Sequence, residues 1–395
     1  MKRLAINMKI FYDCLNTPGF VYDEDMLLNT LNKFNDIPLP LNTKHLFSVK
    51  SFAVQSTLQL MTPFTDGLSI SSLNEAKFAR DILSANKSVH FTSPGLRPDE
   101  IEIIADLCDY ISFNSLSQWE RFHDKVSNRV SCGLRVNTQL TFVKDSRYNP
   151  CRKHSKLGVP LDKLASISNN GNKTLRGLKG ILFHTNCEST NLNHLLKTVK
   201  HLDAHIPRIL EQVEWVNMGG GYLFDDSRSL DKLTDAVMFL KDKYNVEVFI
   251  EPGKGIVGKA GYIVSSVIDL FESDGKNIAV LDTTVNHMPE VFEYQYKPDV
   301  MQESENGRYR YILAGASCLA GDLFGEYSFD KPLEIGSRIV FENAGAYTLV
   351  KANMFNGINL PSIYKYTKDG KLELIKEFGY EDFLSRCGVK NHVSA

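Results

Sequence analysis

Eight short apolar runs, each closed by a polar residue and followed by a longer amphipathic stretch, fill residues 45–253 and leave this chain few folds to adopt. They are His45–Lys50, Gly67–Ser72, Val89–Pro94, Tyr110–Ser115, Val130–Asn137, Lys179–Thr185, Trp215–Gly220 and Glu247–Gly253. Apolar runs of this length between turn residues predict buried strands, and segments such as Leu73–Ala85 and Pro98–Cys108 predict the helices that separate them. Ser72 with Glu75 three residues on is the expected start of one helix. An open doubly wound sheet and a closed (β/α)8 barrel both accept such an alternation. Eight consecutive units favour closure. So do the polar residues: in barrels chemistry sits at the C-terminal strand ends, where Lys50, Ser71, Ser72, Asn114, Arg135, His184, Gly219 and Glu251 all fall.

Beyond Ala260 the texture changes. Tyr262–Leu270, Ile278–Asp282, Tyr311–Ala314, Arg338–Phe341 and Leu372–Lys376 read as strands between Gly, Asp and Pro turns, with few long helical patterns. Phe20–Asp23, ahead of the barrel, can pair with that sheet. The expected organisation is a TIM-type barrel over 36–260 and a second, mainly β domain built from 1–35 and 261–395.

Charge and cysteine usage exclude several classes. Lys and Arg number 45 against 47 Asp and Glu, so the net charge of −2 gives no reason to expect nucleic acid or an anionic membrane as partner. No run approaches the ~18 apolar residues of a transmembrane helix. Asn7 and Lys9 interrupt what would be the core of a signal peptide. Seven scattered cysteines read as reduced thiols, and no His/Cys cluster has zinc spacing. A cytoplasmic protein without a metal is the expectation.

Four of the strand ends carry complementary chemistry. Lys50 in LFSVKSF is, alone, a lysine snorkelling at a strand tip; desolvated in a barrel mouth, its neutral amine can attack an aldehyde. Gly219-Gly220-Gly221 could be a flexible turn or a backbone cradle for phosphate. Gly253 to Gly258 form a formal GxGxxG. The segment after it reads as β too soon for a dinucleotide fold, so Gly253 and Gly255 fit a second phosphate loop, with Lys254 as a nearby charge. Glu251 could be an exposed loop acid. Facing a protonated ring nitrogen at ~3 Å and an effective dielectric of ~20, it would gain about 5 kcal/mol before desolvation is subtracted. His184 in FHTNCES could simply be packed, or could stack on a ring. An amine, a ring, an anion cradle and a carboxylate together fit pyridoxal phosphate. The β region adds Asp282 in VLDTTVNHMPE, Cys318 and Asp322 in SCLAGD, and Tyr347 in ENAGAYTLVK. An inert cysteine, a turn aspartate and a core tyrosine are the plainer readings of these.

The chain resembles, over essentially its whole length, the barrel-type pyridoxal phosphate decarboxylases that act on ornithine, diaminopimelate and carboxynorspermidine or carboxyspermidine. HTNCES (His184–Ser189), NHMPE (Asn286–Glu290), SCLAGD (Ser317–Asp322), and NPC (Asn149–Cys151) followed by SKLGV look like the carboxynorspermidine/carboxyspermidine branch. The resemblance implies an architecture like ornithine decarboxylase and alanine racemase. It implies that Lys50 carries the cofactor covalently, His184 stacks on its ring and Glu251 binds the ring nitrogen. Gly219, Gly220, Gly221, Gly253, Gly255 and Tyr347 would hold its phosphate. Cys318 would return a proton to the substrate, Asp282 and Asp322 would hold the amines of a polyamine-type substrate, and a homodimer would share its active sites. A sister decarboxylase for ornithine, lysine, diaminopimelate or a specialised amine precursor is the alternative. A non-catalytic cofactor- or partner-binding relative would have no chemical need for Lys50, Glu251 and Cys318.

Overall fold

In the barrel each strand shows alternate residues to the interior, and those residues form layers that follow from the sequence. The structure, a computed structural model, describes residues 15–169, 175–224 and 230–388. They form two compact units, 30–256 and 15–29 with 257–388.

The first unit holds β2 (Thr43–Ser48), β3 (Gly67–Ile70), β4 (Ser88–Ser93), β5 (Tyr110–Phe113) and β6 (Ser131–Asn137), preceded in the chain by β1 (Gly19–Asp23) of the other unit. It continues with β7 (Val159–Pro160), β8 (Gly180–Phe183), β9 (Trp215–Asn217) and β10 (Glu247–Ile250). Parallel pairing runs β2–β3–β4–β5–β6–β8–β9–β10 and returns from β10 to β2, so the eight expected strands close a barrel. β7 is a two-residue addition beside β6. Seven of the eight strands stop one to three residues short of the expected ends, because the chain turns outward there and the polar residues line the mouth; β6 ends at Asn137 as expected.

At the lower end Lys44 pairs with Glu247 at 2.6 Å, and the Tyr110 hydroxyl donates to Glu247 at 3.1 Å. Above lies an aromatic layer of Leu46, His90, Tyr110, Trp215 and Phe249, with edge-on contacts of 5.0 Å (His90–Trp215) and 4.8 Å (Tyr110–Phe249). Gly133 and Gly180 make room for the indole, since a Cβ on either would lie 2.4 or 2.0 Å from Trp215. Above that layer the interior turns polar.

Helix starts are locally encoded. Ser72 caps helix Leu73–Ile82 by accepting the Glu75 N–H at 3.2 Å. The Glu75 carboxylate takes the N–H of Ser71 at 2.7 Å instead of closing back on Ser72.

The second unit comprises β1, β11 (Gly261–Ser273), β12 (Lys276–Leu281), β13 (Tyr309–Ala314), β14 (Leu323–Phe329), β15 (Arg338–Phe341), β16 (Ser362–Tyr366) and β17 (Leu372–Lys376). The sheet runs β14-β13-β12-β11-β1-β16-β17, with β15 also on β11. β1 pairs antiparallel with β11 and parallel with β16, as Phe20–Asp23 suggested it could. Its core gathers Leu15, Val21, Tyr262, Val264, Val340 and Tyr364. β14 and β16 were not among the expected strands: LFGEYSF carries a glycine and polar residues, and SIYKY is too short to show a period. The GxGxxG leads into a four-residue helix, Lys254–Val257, a single 3-10 turn and then antiparallel β11, so no dinucleotide-binding unit forms. Among the described residues no helix is long and apolar enough to cross a membrane, and no His/Cys/Asp/Glu cluster could hold a metal.

Candidate active site

β2 ends at Ser48 and Val49–Ser51 make one turn of 3-10 helix that projects Lys50. Ser48 N–H donates to the Pro252 carbonyl at 3.0 Å, and Ser51 Oγ donates back to Ser48 at 2.7 Å. The turn is thereby tied to the loop after Glu251. That loop needs glycine, since a Cβ on Gly253 would sit 2.9 Å from Ser51 Oγ. Lys50 is exposed by surface area at the barrel mouth, yet the barrel atoms packed around its amine desolvate it and lower its pKa. Glu251 opposes the shift and Arg135 reinforces it; Glu75 and Cys187 also oppose it. The neutral, nucleophilic amine is thus nearer to hand than on a surface lysine.

Glu251 is buried, and its Oε1 accepts from the Asn217 side-chain amide at 2.8 Å. Its backbone N–H donates to Gly219 at 2.8 Å. His184, just past β8, has its pKa held well below the ordinary value by burial first and then by Lys50 and Arg135. It is a neutral imidazole whose Nδ1 accepts the Gly220 N–H at 3.1 Å.

The three glycines are sterically required. A Cβ would fall 2.4 Å from Phe183 O at Gly219, 2.2 Å from Glu251 O at Gly220 and 2.0 Å from Asn186 O at Gly221. Gly219 and Gly221 also have φ of +65° and +89°. The simple picture of three N–H groups aimed at one phosphate changes here: Gly219 N–H donates to Asn217 Oδ1 at 2.8 Å and Gly220 N–H to His184. Lys254, the charge beside Gly253 and Gly255, pairs with Glu188 of the HTNCES loop at 2.6 Å.

Sequence reading left Arg135 without a role and did not single out Asn217 or His90. Arg135 is half-buried, its pKa lowered by burial and partly restored by Glu251 and Cys151. The one available signal was period: Arg135 lies two residues beyond Gly133 and Asn217 two beyond Trp215, on the interior face.

The remaining expected residues belong to the second unit. Cys318 is exposed, and its backbone N–H donates to Asn356 at 2.8 Å. The carboxylates expected to hold substrate amines are engaged by the chain itself. Asp282 accepts from Ser265 Oγ (2.6 Å), Ser266 N–H (2.9 Å) and Thr17 Oγ1 (2.5 Å). Asp322 accepts from Val285 N–H (2.7 Å), Ser317 N–H (3.0 Å) and Ser317 Oγ (2.5 Å). Asp322 therefore shapes the loop that presents Cys318, and Asp282 ties the start of β1 to β11. Tyr347 is half-buried at φ +56°, a strained conformation for an aromatic residue and one that clusters at functional sites.

A low-pKa amine, a buried carboxylate held in place, a neutral imidazole and glycines where no Cβ fits are what pyridoxal phosphate requires. Comparison with known proteins agrees. Residues 19–345 match the family described as pyridoxal-dependent decarboxylase, C-terminal sheet domain. The carboxynorspermidine/carboxyspermidine decarboxylase of Campylobacter jejuni is 34% identical, covering 95% of this chain and all of that protein. A carboxyaminopropylagmatine decarboxylase from Synechocystis is 36% identical over 95% of this chain and 96% of its own length. A crystal structure of carboxynorspermidine decarboxylase with norspermidine, from Campylobacter jejuni, superposes with a TM-score of 0.84 at 32% identity, covering 94% of this chain and 100% of that one. Diaminopimelate decarboxylase from Helicobacter pylori, at 18% identity and a TM-score of 0.81 over 97% of this chain and 100% of that one, shares the fold. The chain belongs to the pyridoxal-dependent decarboxylases and is a pyridoxal phosphate enzyme, a carboxy-lyase.

Proposed function

We propose that this decarboxylase acts on carboxynorspermidine or carboxyspermidine, releasing norspermidine or spermidine. The observation that carries the reading is the Campylobacter relative, alike over 95% of this chain and all of its own, together with Lys50, His184 and Glu251 just past the ends of β2, β8 and β10 of one barrel. The Synechocystis relative favours a second reading, in which the acceptor arm ends in a guanidinium instead of an amine. Both substrates are carboxylated polyamine derivatives.

When bound, the cofactor supplies an electron sink for the pair left behind by carbon dioxide. Everything else falls to the chain. Lys50 would hold the cofactor through its amine and would move protons at the substrate nitrogen. Glu251 would keep a proton on the ring nitrogen, and the neutral His184 would pack on the ring without competing for that charge. The phosphate would fall to Gly221, Gly253, Gly255 and Tyr347, with Lys254 as a nearby charge; Gly219 and Gly220 would shape the cradle by packing. Cys318 would return a proton to the α-carbon, in a homodimer whose sites would draw on both subunits. Among the described residues Cys108, Cys132, Cys151, Cys318 and Cys387 are free thiols, which supports a reducing, cytoplasmic setting.

The test is product identity. Loaded enzyme is given carboxynorspermidine, carboxyspermidine, carboxyaminopropylagmatine, ornithine, lysine and diaminopimelate separately, and the amine formed is identified by mass. Norspermidine or spermidine as the preferred product is expected. Preference for a simple amino acid overturns the substrate reading, and aminopropylagmatine as the main product selects the second one.

A further inference from the structure

Below the Glu251 carboxylate a fully buried polar chain crosses the barrel interior from β10 to β5. Glu251 Oε1 accepts from Asn217 Nδ2 at 2.8 Å, and the same amide lies 3.0 Å from His90 Nδ1. His90 Nε2 lies 2.8 Å from Ser112 Oγ. The exposures of Asn217, His90 and Ser112 are 0%, 0% and 1%, so bulk solvent does not compete for these bonds.

The chemistry leaves one consistent proton arrangement. Gly219 N–H, which can only donate, lies 2.8 Å from Asn217 Oδ1 and fixes which way the amide points. Asn217 Nδ2 is then the donor to both Glu251 and His90, so His90 Nδ1 must accept. Burial pushes the His90 pKa down to about 3, so the ring is neutral and its one proton sits on Nε2, donated to Ser112. Every polar atom of the Asn217 amide is used, and both nitrogens of His90 are used. A histidine is a costly filler for an aromatic layer unless both nitrogens are satisfied, and leucine or phenylalanine would pack against Trp215 and Tyr110 without that demand.

We propose that Asn217, oriented by His90, is a positioning residue that sets two cofactor-holding parts at once: the direction of the Glu251 carboxylate and the turn into the Gly219–Gly221 run. One amide bridges them, its nitrogen on Glu251 and its oxygen on Gly219. His90 fixes the amide from below by accepting its second hydrogen. The inference rests on Glu251 facing the ring nitrogen.

The experiment measures equilibrium binding of pyridoxal phosphate and of its 1-deaza analogue, in which carbon replaces the ring nitrogen. The proteins are the full chain and its Glu251→Gln, His90→Leu, His90→Gln and Asn217→Ala variants. Glutamine at 90 can still accept from Asn217 and donate to Ser112. We expect His90→Leu to weaken the natural cofactor about tenfold more than the deaza analogue, the loss of one buried hydrogen bond. His90→Gln should recover most of that difference, and Asn217→Ala should exceed His90→Leu. Equal weakening of both ligands by the His90 and Asn217 variants, with Glu251→Gln still discriminating between them, overturns the proposal and leaves a merely structural network. If Glu251→Gln itself fails to discriminate, it is the reading of Glu251 that falls. General damage to the barrel lowers both affinities together and leaves their ratio unmoved.

Discussion

Lys50 titrates out of register with an ordinary lysine because barrel atoms crowd its amine. The folded apoprotein binds this proton less readily than the unfolded chain, whose lysine titrates near 10.5. Between the lowered folded value and that figure the unfolded state holds more protons, so stability rises with pH across the window. Below it the full penalty is present. Lys50→Met should therefore raise the urea midpoint of the cofactor-free protein at pH 7, with a gain that shrinks towards pH 10. Equal gains at both values would mean that burial does not shift this amine. The identity of Lys50, His184 and Glu251 was legible in the sequence because each closes an apolar run. Arg135 was placed at a strand end without a role, and Asn217 and His90 were not singled out, because all three acquire their partners only across the closed barrel.

At the scale of elements, the glycine run after β9 is held on every side by backbone. Gly221 has φ +89° and would place a Cβ 2.0 Å from Asn186 O, in the loop that follows His184. Gly221→Ala is expected to cost about 1–3 kcal/mol of stability and to loosen pyridoxal phosphate binding. Chemical denaturation and cofactor titration measure the two effects, and a variant with both unchanged would show that the loop can move aside. Turns and caps were readable locally: Ser72 does start its helix. The partner of Glu75 was not, since its carboxylate reaches Ser71 and the field of Lys50, a neighbour only after β2 and β3 pair.

For the whole molecule, the proposed dimer with shared sites makes a quantitative demand. Lys50→Ala and Cys318→Ala proteins should each be strongly impaired. After mixing and subunit exchange, half of the molecules are heterodimers with one intact site of two, so about a quarter of the unmutated activity should return. Mixtures that demonstrably exchange subunits and recover nothing would rule out sites that combine Lys50 of one chain with Cys318 of the other.

The sequence by itself determined the eight-unit barrel, the β region after Ala260 and the strand-end residues Lys50, His184, Gly219–Gly221 and Glu251, since period and punctuation are local properties of the chain. Only the tertiary structure decided how those residues are held. Whether a carboxylate such as Asp282 or Asp322 is free for a ligand or already taken by Ser265, Thr17 or Ser317 depends on which donors folding brings within 3 Å. The same holds for Asn217, whose amide serves Glu251, Gly219 and His90 only because β4, β9 and β10 meet around one closed interior.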